Sequence, residues 1–368
     1  MIYFDYAANY PTKKEVLDAL CETELNFFGN YNSSHNEGKR SKEKFIELDS
    51  KIKKDLEIPN DFEIIYTSSA TESNNLAIKG IASCYSGFGK KILVSELEHS
   101  SVNGTLGYLK DIGFNIEFFK TLDNGEIDFN DLKNKLTDDC ILVCMIYVDG
   151  ETGFIHDYKK VYNLVKDSKN AHFLLDATQG IGKFDLDFNY TELVSFTPHK
   201  FGGIIGSGCL VKKKSTILTP LIQGGESSSI YRSGSVPLGI IASTQKAIEI
   251  AIKNKEVNYN KTKEISDYIL SEIFQIKKIR VNSFNNPYII NLSIENKRGN
   301  DSVEFLNNLG ICVSQKSACS IKNTPSKIIM SIYKDKKRAS SSFRISLCEL
   351  STLDEAKELV KALKELAK

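Results

Sequence analysis

The 368-residue chain carries 48 basic and 47 acidic residues, which gives a formal net charge of +1. This balance excludes the strongly basic surface typical of proteins that bind nucleic acids or anionic membranes, so we expect neither partner. Residues 1–6 lack the basic and apolar regions of a signal peptide, and no apolar run is long enough to span a bilayer. We therefore expect a cytoplasmic protein. It is large enough to form two lobes, because single cores stop growing near about 250–300 residues.

The eight cysteines include no C-x-x-C pair, which argues against a zinc knuckle or a thioredoxin-type site, and we expect no metal. Cys140 and Cys144 lie in one apolar, strand-like run. A spacing of four predicts that both are core thiols on the same face of that strand. Cysteines in this arrangement are typical of a reducing, intracellular compartment.

Short apolar runs alternate with helical stretches from about residue 62 to residue 213. Runs buried on both faces and separated by helices predict a mainly parallel α/β sheet of seven strands. Ligands of such sheets bind beyond the carboxyl ends of the strands. The predicted strands are 63–67, 91–95, 115–119, 141–148, 173–175, 193–196 and 209–211.

The composition changes after residue 252, where a polar stretch rich in Lys and Asn begins. Apolar and charged residues at helical spacing predict a C-terminal amphipathic helix over 353–366. We predict a large domain over 12–252. We also predict a smaller α+β domain formed by 1–11 and 253–368.

The segment 67–75, rich in Ser and Thr, follows a predicted strand and opens a helix. Backbone N–H groups and hydroxyls at such a helix start can bind an anion, and Ala70 and Thr71 would hold a phosphate. An ordinary Ser/Thr helix cap is the alternative, and it is favoured for this segment taken alone.

His99 follows the next predicted strand. A histidine at this edge can stack on a cofactor ring and transfer protons, although a lone histidine at a strand end is more often polar surface.

An acid closes the apolar run at Asp176, and the pair His199-Lys200 follows the next apolar run. The lysine amine can form a Schiff base with the aldehyde of pyridoxal phosphate (PLP), and the carboxylate can keep the pyridine nitrogen protonated. Gln179 is close enough in sequence to reach the same ring. Taken singly, Asp176 could merely end a strand and Lys200 could be a surface lysine. Together they favour a PLP enzyme, which in turn favours the phosphate interpretation of 67–75.

Cys319 lies among small polar residues, a setting typical of an exposed, reactive thiol rather than a core thiol. Arg344 lies on a strand-like segment, where its guanidinium suits bidentate binding of a substrate carboxylate. A surface ion pair is an equally good interpretation of Arg344 from its local context.

In these residues the chain resembles the cysteine desulfurases of the class V aminotransferase group, which are fold type I PLP enzymes. Ser-Ala-Cys around Cys319 resembles the branch typified by NifS and IscS. The motifs that carry the resemblance are Asp5-Tyr-Ala-Ala8, Asn30-Tyr-Asn-Ser-Ser-His-Asn-Glu-Gly38, Ser68-Ser-Ala-Thr-Glu-Ser-Asn-Asn75, Glu98-His99, Asp176-Ala-Thr-Gln179, Thr197-Pro-His-Lys200, Ser317-Ala-Cys319 and Ser342-Phe-Arg-Ile-Ser346.

The resemblance implies that Lys200 attaches PLP, that Cys319 attacks the sulfur of L-cysteine and carries a persulfide, and that a sulfur-acceptor protein receives it. It implies a homodimer, because Ser235 stands where the family has a threonine that reaches the phosphate of the neighbouring subunit. The other implied cofactor contacts are His99 on the ring, Asp176 at its nitrogen, Gln179 at its oxygen, and Ala70, Thr71, Thr197 and His199 at the phosphate.

The chain also departs from the family pattern. Gly150 replaces an asparagine that contacts the cofactor, and Ser69 replaces a glycine of the phosphate loop. Segments 224–228 and 201–206 lack family residues as well, which puts substrate range and rate in question.

Three functions follow from these observations. The first is a cysteine desulfurase that releases L-alanine and supplies iron–sulfur cluster assembly or thiolation. The second is a selenocysteine lyase or an aminotransferase in which Cys319 is incidental. The third is a low-activity scaffold that keeps the fold and a partner surface. Cys319 and Arg344 together favour the first over the second, and Lys200 with Asp176 argues against the third.

Overall fold

The computed structural model describes residues 1–316 and 324–368. In these residues the strands are β1 (Ile2–Tyr3), β2 (Phe62–Thr67), β3 (Lys91–Ser95), β4 (Asn115–Phe119), β5 (Cys140–Ile146), β6 (His172–Asp176), β7 (Leu193–Phe196), β8 (Gly208–Lys213), β9 (Ile279–Val281), β10 (Ile289–Ile294), β11 (Ile311–Cys312) and β12 (Ser342–Ser346). The helices are α1 (Lys14–Asn26), α2 (Asn36–Asp55), α3 (Ala70–Tyr85), α4 (Ser100–Asp111), α5 (Phe129–Lys135), α6 (Tyr158–Lys166), α7 (Leu238–Ile273), α8 (Gly299–Asn308), α9 (Lys327–Tyr333), α10 (Lys336–Ser341) and α11 (Leu353–Leu366).

Seven of the described strands form one sheet in the order β2-β8-β7-β6-β5-β3-β4. Strands β3 to β7 run parallel to one another, and β8 runs antiparallel to both of its neighbours. Helices α3 and α4 pack on one face, while α1, α2, α6 and α7 contribute to the core on the other. Because both faces are covered, β3 and β5 are buried along their whole length. The predicted α/β class with a mainly parallel seven-stranded sheet is confirmed.

The register of β5 corrects one prediction. Cys140 pairs with Lys91 but Leu142 pairs with Ile92, so Ile141 is an extra residue at a β-bulge. The bulge shifts the alternation of side chains by one residue. Cys140 therefore packs in the core of one face and Cys144 in the core of the other. The prediction that the two thiols share a face is wrong, and the prediction that both are core thiols is confirmed.

A separate antiparallel sheet of order β12-β10-β9 lies in the C-terminal part of the chain. Its core includes side chains of α8, α11 and the second half of α7. The N-terminus joins this part, since β1 pairs with β11 and Asp5 bridges to Ser346. The helix predicted over 353–366 has those bounds, and Thr352 begins it with a capping box to Glu355.

Helix α7 runs without interruption through residue 252, where the composition changes. The domain boundaries proposed from the sequence stay a prediction. In the described ranges 1–316 and 324–368, no helix is both long enough and apolar enough to cross a bilayer.

Candidate active site

Predicted site residues follow the carboxyl ends of strands in the large sheet. Asp176 is the last residue of β6, Thr197 follows β7, and His99 follows β3 after a short turn. Carboxyl ends of parallel strands meet at one edge of a sheet. The fold therefore gathers these residues at one edge, as the sequence analysis requires.

Asp176 is held by a buried hydrogen-bond network. Its Oδ2 accepts from Asn74 Nδ2 at 2.9 Å, and its Oδ1 accepts from the backbone N–H of Thr178 at 3.0 Å. Asn74 Nδ2 also donates to Ser101 Oγ at 2.9 Å, and Asn74 Oδ1 accepts from Ser195 Oγ at 2.5 Å. These contacts fix the position of a carboxylate that is only 3 % exposed. Such a preorganised carboxylate suits a partner that is a protonated ring nitrogen.

His99 is the N-cap of α4, and its Nδ1 accepts a hydrogen bond from the backbone N–H of Ser101 at 3.2 Å. Burial lowers the pKa of His99, Asp176 raises it, and the charge of Lys200 lowers it further. The imidazole is therefore neutral near neutral pH. Because Nδ1 accepts, the neutral ring carries its proton on Nε2.

Lys200 ends a short 3₁₀ turn, Pro198–Lys200, that follows β7. Its Nζ donates to the carbonyl oxygens of Ala7 at 2.9 Å and Ala8 at 2.7 Å. Gln179 Nε2 donates to the same Ala7 oxygen at 2.8 Å. The N-terminal Asp5-Tyr-Ala-Ala8 motif thus lies against two of the predicted cofactor contacts.

The first turn of α3 contains Ala70 and Thr71. Ser69 is the N-cap, and its Oγ accepts from the N–H of Glu72 at 3.1 Å. The ordinary helix cap is therefore present, and it leaves the first N–H groups of the helix without an intrahelical partner. Ser69 has an extended backbone with φ −174°, so serine in place of the family's glycine introduces no strain.

Thr197 and His199 form a hydrogen-bonded pair. Thr197 Oγ1 donates to Ser207 O at 2.7 Å, so it accepts from His199 Nδ1 at 2.8 Å. Burial, with a contribution from the charge of Lys200, lowers the pKa of His199 to about 4. A neutral His199 with its proton on Nδ1 has none on Nε2. Nε2 can donate to a phosphate only after the ring is protonated, which the phosphate charge itself favours.

Ser235 is exposed on the surface of this chain. It follows Arg232, whose Nε donates to Glu72 Oε1 at 3.0 Å and so ties this segment to the first turn of α3. The predicted contact of Ser235 with a neighbouring subunit stays a prediction.

Arg344, on β12, is 2 % exposed. Its Nη2 donates to Asp5 Oδ1 at 2.9 Å and its Nη1 donates to Gly150 O at 2.7 Å, while its buried Nε has no partner among the described residues. Ser314 Oγ donates to Asp5 Oδ2 at 2.7 Å. An ion pair is present, but it is buried, so the surface-ion-pair interpretation is wrong. The predicted carboxylate-binding role stays a prediction.

Gly150 also lies beside Gln179. A Cβ built on Gly150 would approach Gln179 Cγ to 3.8 Å, an ordinary van der Waals distance. Packing therefore does not demand glycine here, and the absence of the family's asparagine is a chemical rather than a steric difference.

Cys319 lies outside the described residues. On either side of the 317–323 gap, Lys316 Nζ donates to Thr324 O and to Thr324 Oγ1, both at 2.8 Å.

The Aminotransferase class-V family matches residues 2–359 of the chain. The chain belongs to the class V aminotransferase family. Among its relatives is a protein named cysteine desulfurase IscS from Buchnera aphidicola subsp. Acyrthosiphon pisum. The two are 34 % identical over 99 % of this chain and 91 % of that protein. The resemblance derived from the motifs is confirmed.

Solved structures of similar proteins confirm the fold type. A NifS-like protein superposes with a TM-score of 0.91 at 26 % identity, over 99 % of this chain and 98 % of that one. A structure described as SspA in complex with cysteine superposes with a TM-score of 0.81 at 26 % identity, over 94 % of this chain and 99 % of that one.

Class V aminotransferase-family members of this group are PLP-dependent, so the predicted cofactor is confirmed. The residues present fit it. The site offers a lysine amine, a fixed buried carboxylate and an open helix N-terminus, and the buried Thr178 Oγ1, beside Asp176, has no hydrogen-bond partner among the described residues.

Three site residues were not singled out from the sequence. Asn74 orients Asp176, Asp5 pairs with Arg344, and Lys183 Nζ donates to Gln179 Oε1 at 2.9 Å. Asn74 and Asp5 fall inside motifs that carried the resemblance, which was the available signal. Lys183 had no signal beyond its position four residues after Gln179.

Proposed function

We propose that the chain is a PLP-dependent cysteine desulfurase. It takes sulfur from L-cysteine, releases L-alanine and holds the sulfur as a persulfide on Cys319. The observation that carries this proposal is the gathering of Lys200, Asp176 and His99 at one sheet edge in a chain 34 % identical to a protein named cysteine desulfurase.

The roles of the cofactor contacts belong to the same proposal. Lys200 attaches PLP and Asp176 holds its ring nitrogen protonated. The ring, when bound, withdraws electrons from the substrate carbon. The phosphate is held by Ala70 and Thr71 in the first turn of α3. Thr197 and His199, which the motifs also imply as phosphate contacts, hold it as well.

His99 acts as a proton donor from Nε2. Its neutral state follows from burial, and the Ser101 N–H at Nδ1 fixes the tautomer. General acid–base groups of this kind contribute about 10²–10⁴-fold to rates.

Arg344 binds the substrate carboxylate. Its two Nη atoms already donate to Gly150 O and Asp5, which hold the guanidinium in place. The Nε–H, which has no partner among the described residues, and a remaining Nη–H lie on one edge of the guanidinium and can donate to two carboxylate oxygens in a bidentate pair.

Cys319 accepts the sulfur. Its thiolate forms an S–S bond to the substrate sulfur while the C–S bond breaks, and the electron pair of that bond stays on the carbon that becomes the methyl group of alanine after protonation. The persulfide then passes to an acceptor, which we infer to be an iron–sulfur scaffold protein or a thiolation relay. The cytoplasmic location belongs to this same proposal.

One assay tests the function. The PLP-loaded protein is incubated with L-cysteine and a thiol reductant, and sulfide and alanine are measured together. Equal amounts of both, formed over many turnovers, support a desulfurase. Turnover of L-selenocysteine with none of L-cysteine would replace the proposal by the selenocysteine lyase alternative, and no turnover of either would leave the aminotransferase and scaffold alternatives.

A further inference from the structure

A second lysine, Lys183, lies close to the predicted cofactor lysine. It lines a cleft together with Lys200, Tyr288 and Cys348. Its Nζ donates to Gln179 Oε1 at 2.9 Å and lies 5.5 Å from the centre of the Tyr288 ring. None of the roles assigned above uses this amine.

The contacts with Ala7 and Lys183 together decide which way the Gln179 amide faces. Gln179 is 7 % exposed, and its side chain lies between Lys183 Nζ and the carbonyl oxygen of Ala7. The carbonyl can only accept, so it requires Nε2. The Lys183 amine donates an N–H here and so favours Oε1. A flipped amide would place two oxygens together at Ala7 and would lose the N–H···Oε1 bond from Lys183.

Among the described residues, the oriented amide uses only one of its two N–H groups. Gln179 Nε2 carries two protons, and one is used at Ala7 O. We propose that Lys183 is a positioning residue for PLP: it holds the Gln179 amide in the orientation that leaves the second N–H for the ring oxygen of the cofactor. The proposal rests on PLP binding and on the predicted Gln179 contact, and is independent of the substrate.

The surroundings of Lys183 suit a group that must donate without adding charge. Burial is the main reason that the pKa of Lys183 falls to about 7, with the charges of Lys200 and Arg344 lowering it further while Cys348 and Glu349 oppose this. A neutral amine keeps N–H groups to donate and gains a lone pair, so the carbonyl of Ala7, which can only accept, sets the orientation and the Lys183 N–H stabilises it. Lys183 can therefore hold Gln179 without placing a permanent second cation beside Lys200.

A double-mutant cycle tests the proposal on the PLP-bound protein without substrate. The variants are Lys183→Met, Gln179→Leu and the double variant, and the measurements are the PLP dissociation constant and the pH midpoint of the visible absorption of the bound cofactor. Lys183→Met keeps the length of the side chain and removes the donor. We expect it to weaken PLP binding by about 3- to 10-fold, the loss of one hydrogen bond, and to shift the midpoint.

The decisive comparison is between backgrounds. In Gln179→Leu, the further change Lys183→Met should alter neither quantity, because the amide on which Lys183 acts is gone. Equal effects of Lys183→Met in both backgrounds would overturn the proposal, as would no effect in the native background. Lys183→Gln keeps an N–H donor and provides a second test. It should bind PLP more tightly than Lys183→Met, and equal weakening by the two would also overturn the proposal.

Discussion

Lys200 Nζ donates a hydrogen bond to the carbonyl oxygen of Ala7 at 2.9 Å, although 193 residues separate the two in the sequence. The carbonyl of Ala8 accepts from the same amine. The start of the chain is therefore part of the wall around the predicted cofactor lysine.

The first prediction concerns covalent attachment. Lys200→Ala should abolish turnover and the visible absorption of attached PLP, because the amine that forms the imine is gone, while weak binding through the phosphate can persist. Lys200→Arg is the matched control, since it keeps a charge near Ala7 and Ala8 but cannot form the imine. Borohydride reduction followed by peptide mass analysis should place PLP on the Lys200 peptide of the native protein only. A variant without Lys200 that desulfurates cysteine at the native rate contradicts the assignment.

The second prediction concerns the ring nitrogen. Asp176→Asn should lower kcat by about 100-fold or more, because a neutral amide cannot stabilise the protonated nitrogen on which the electron withdrawal depends. Asn74→Ala leaves the carboxylate but removes a hydrogen bond that orients it, so it should lower kcat by less. Steady-state kinetics with L-cysteine measure both. Equal losses in the two variants would mean that geometry rather than charge matters at Asp176.

The third prediction concerns Ser235 and uses complementation. Ser235→Asp should repel the phosphate, and Lys200→Ala is inactive for the reason given above. If Ser235 serves the neighbouring subunit, a mixed dimer of the two variants contains one intact site, and partial activity returns on mixing. No return of activity in verified mixed dimers, or a fully active monomer in sedimentation, contradicts the proposed contact.

The fourth prediction concerns pH and Glu98, which is 5 % exposed. Burial is the main reason that the pKa of Glu98 rises to about 8 from its usual value of 4.5. Between these values the folded state keeps a proton that the unfolded state has released, so rising pH lowers stability. The Tm of Glu98→Gln minus the Tm of the native protein should therefore increase as pH rises from about 4.5 to about 8. Above about pH 8 this difference should stay constant.

Exposed Glu126→Gln is the control for that comparison and should give a Tm profile parallel to the native one. Parallel profiles for Glu98→Gln as well would mean that Glu98 releases its proton in the folded protein as readily as in the unfolded chain.

The fifth prediction concerns Cys319. Cys319→Ser should keep the cofactor spectrum and its response to added L-cysteine but release no sulfide, because a hydroxyl does not attack sulfur as a thiolate does. Native protein given L-cysteine without reductant should gain the mass of one sulfur atom on the Cys319 peptide. Cys312→Ser is the matched control and should behave like the native protein. Native sulfide release by Cys319→Ser would transfer the function to the lyase alternative.

The sequence predicted the sheet and several parts of the site because these depend on local patterns. Continuous apolar runs separated by helices are buried on both faces, which requires a mainly parallel sheet. The placement of Asp176 and Thr197 in the site then follows from their positions at strand ends, since the carboxyl ends of parallel strands meet at one edge of the sheet. Local capping chemistry likewise determined the start of α11 at Thr352.

The tertiary structure decided the contacts that orient these groups. Cys144 faces away from the side of Cys140 because of a bulge, which depends on pairing with β3 and leaves no mark in the periodicity of β5. Arg344 and Asp5, 339 residues apart, form a buried pair only because the N-terminus, through the bridge of Asp5 to Ser346, joins the C-terminal sheet. The type of a residue determines which hydrogen bonds its side chain can donate or accept, but only packing brings the partner within reach.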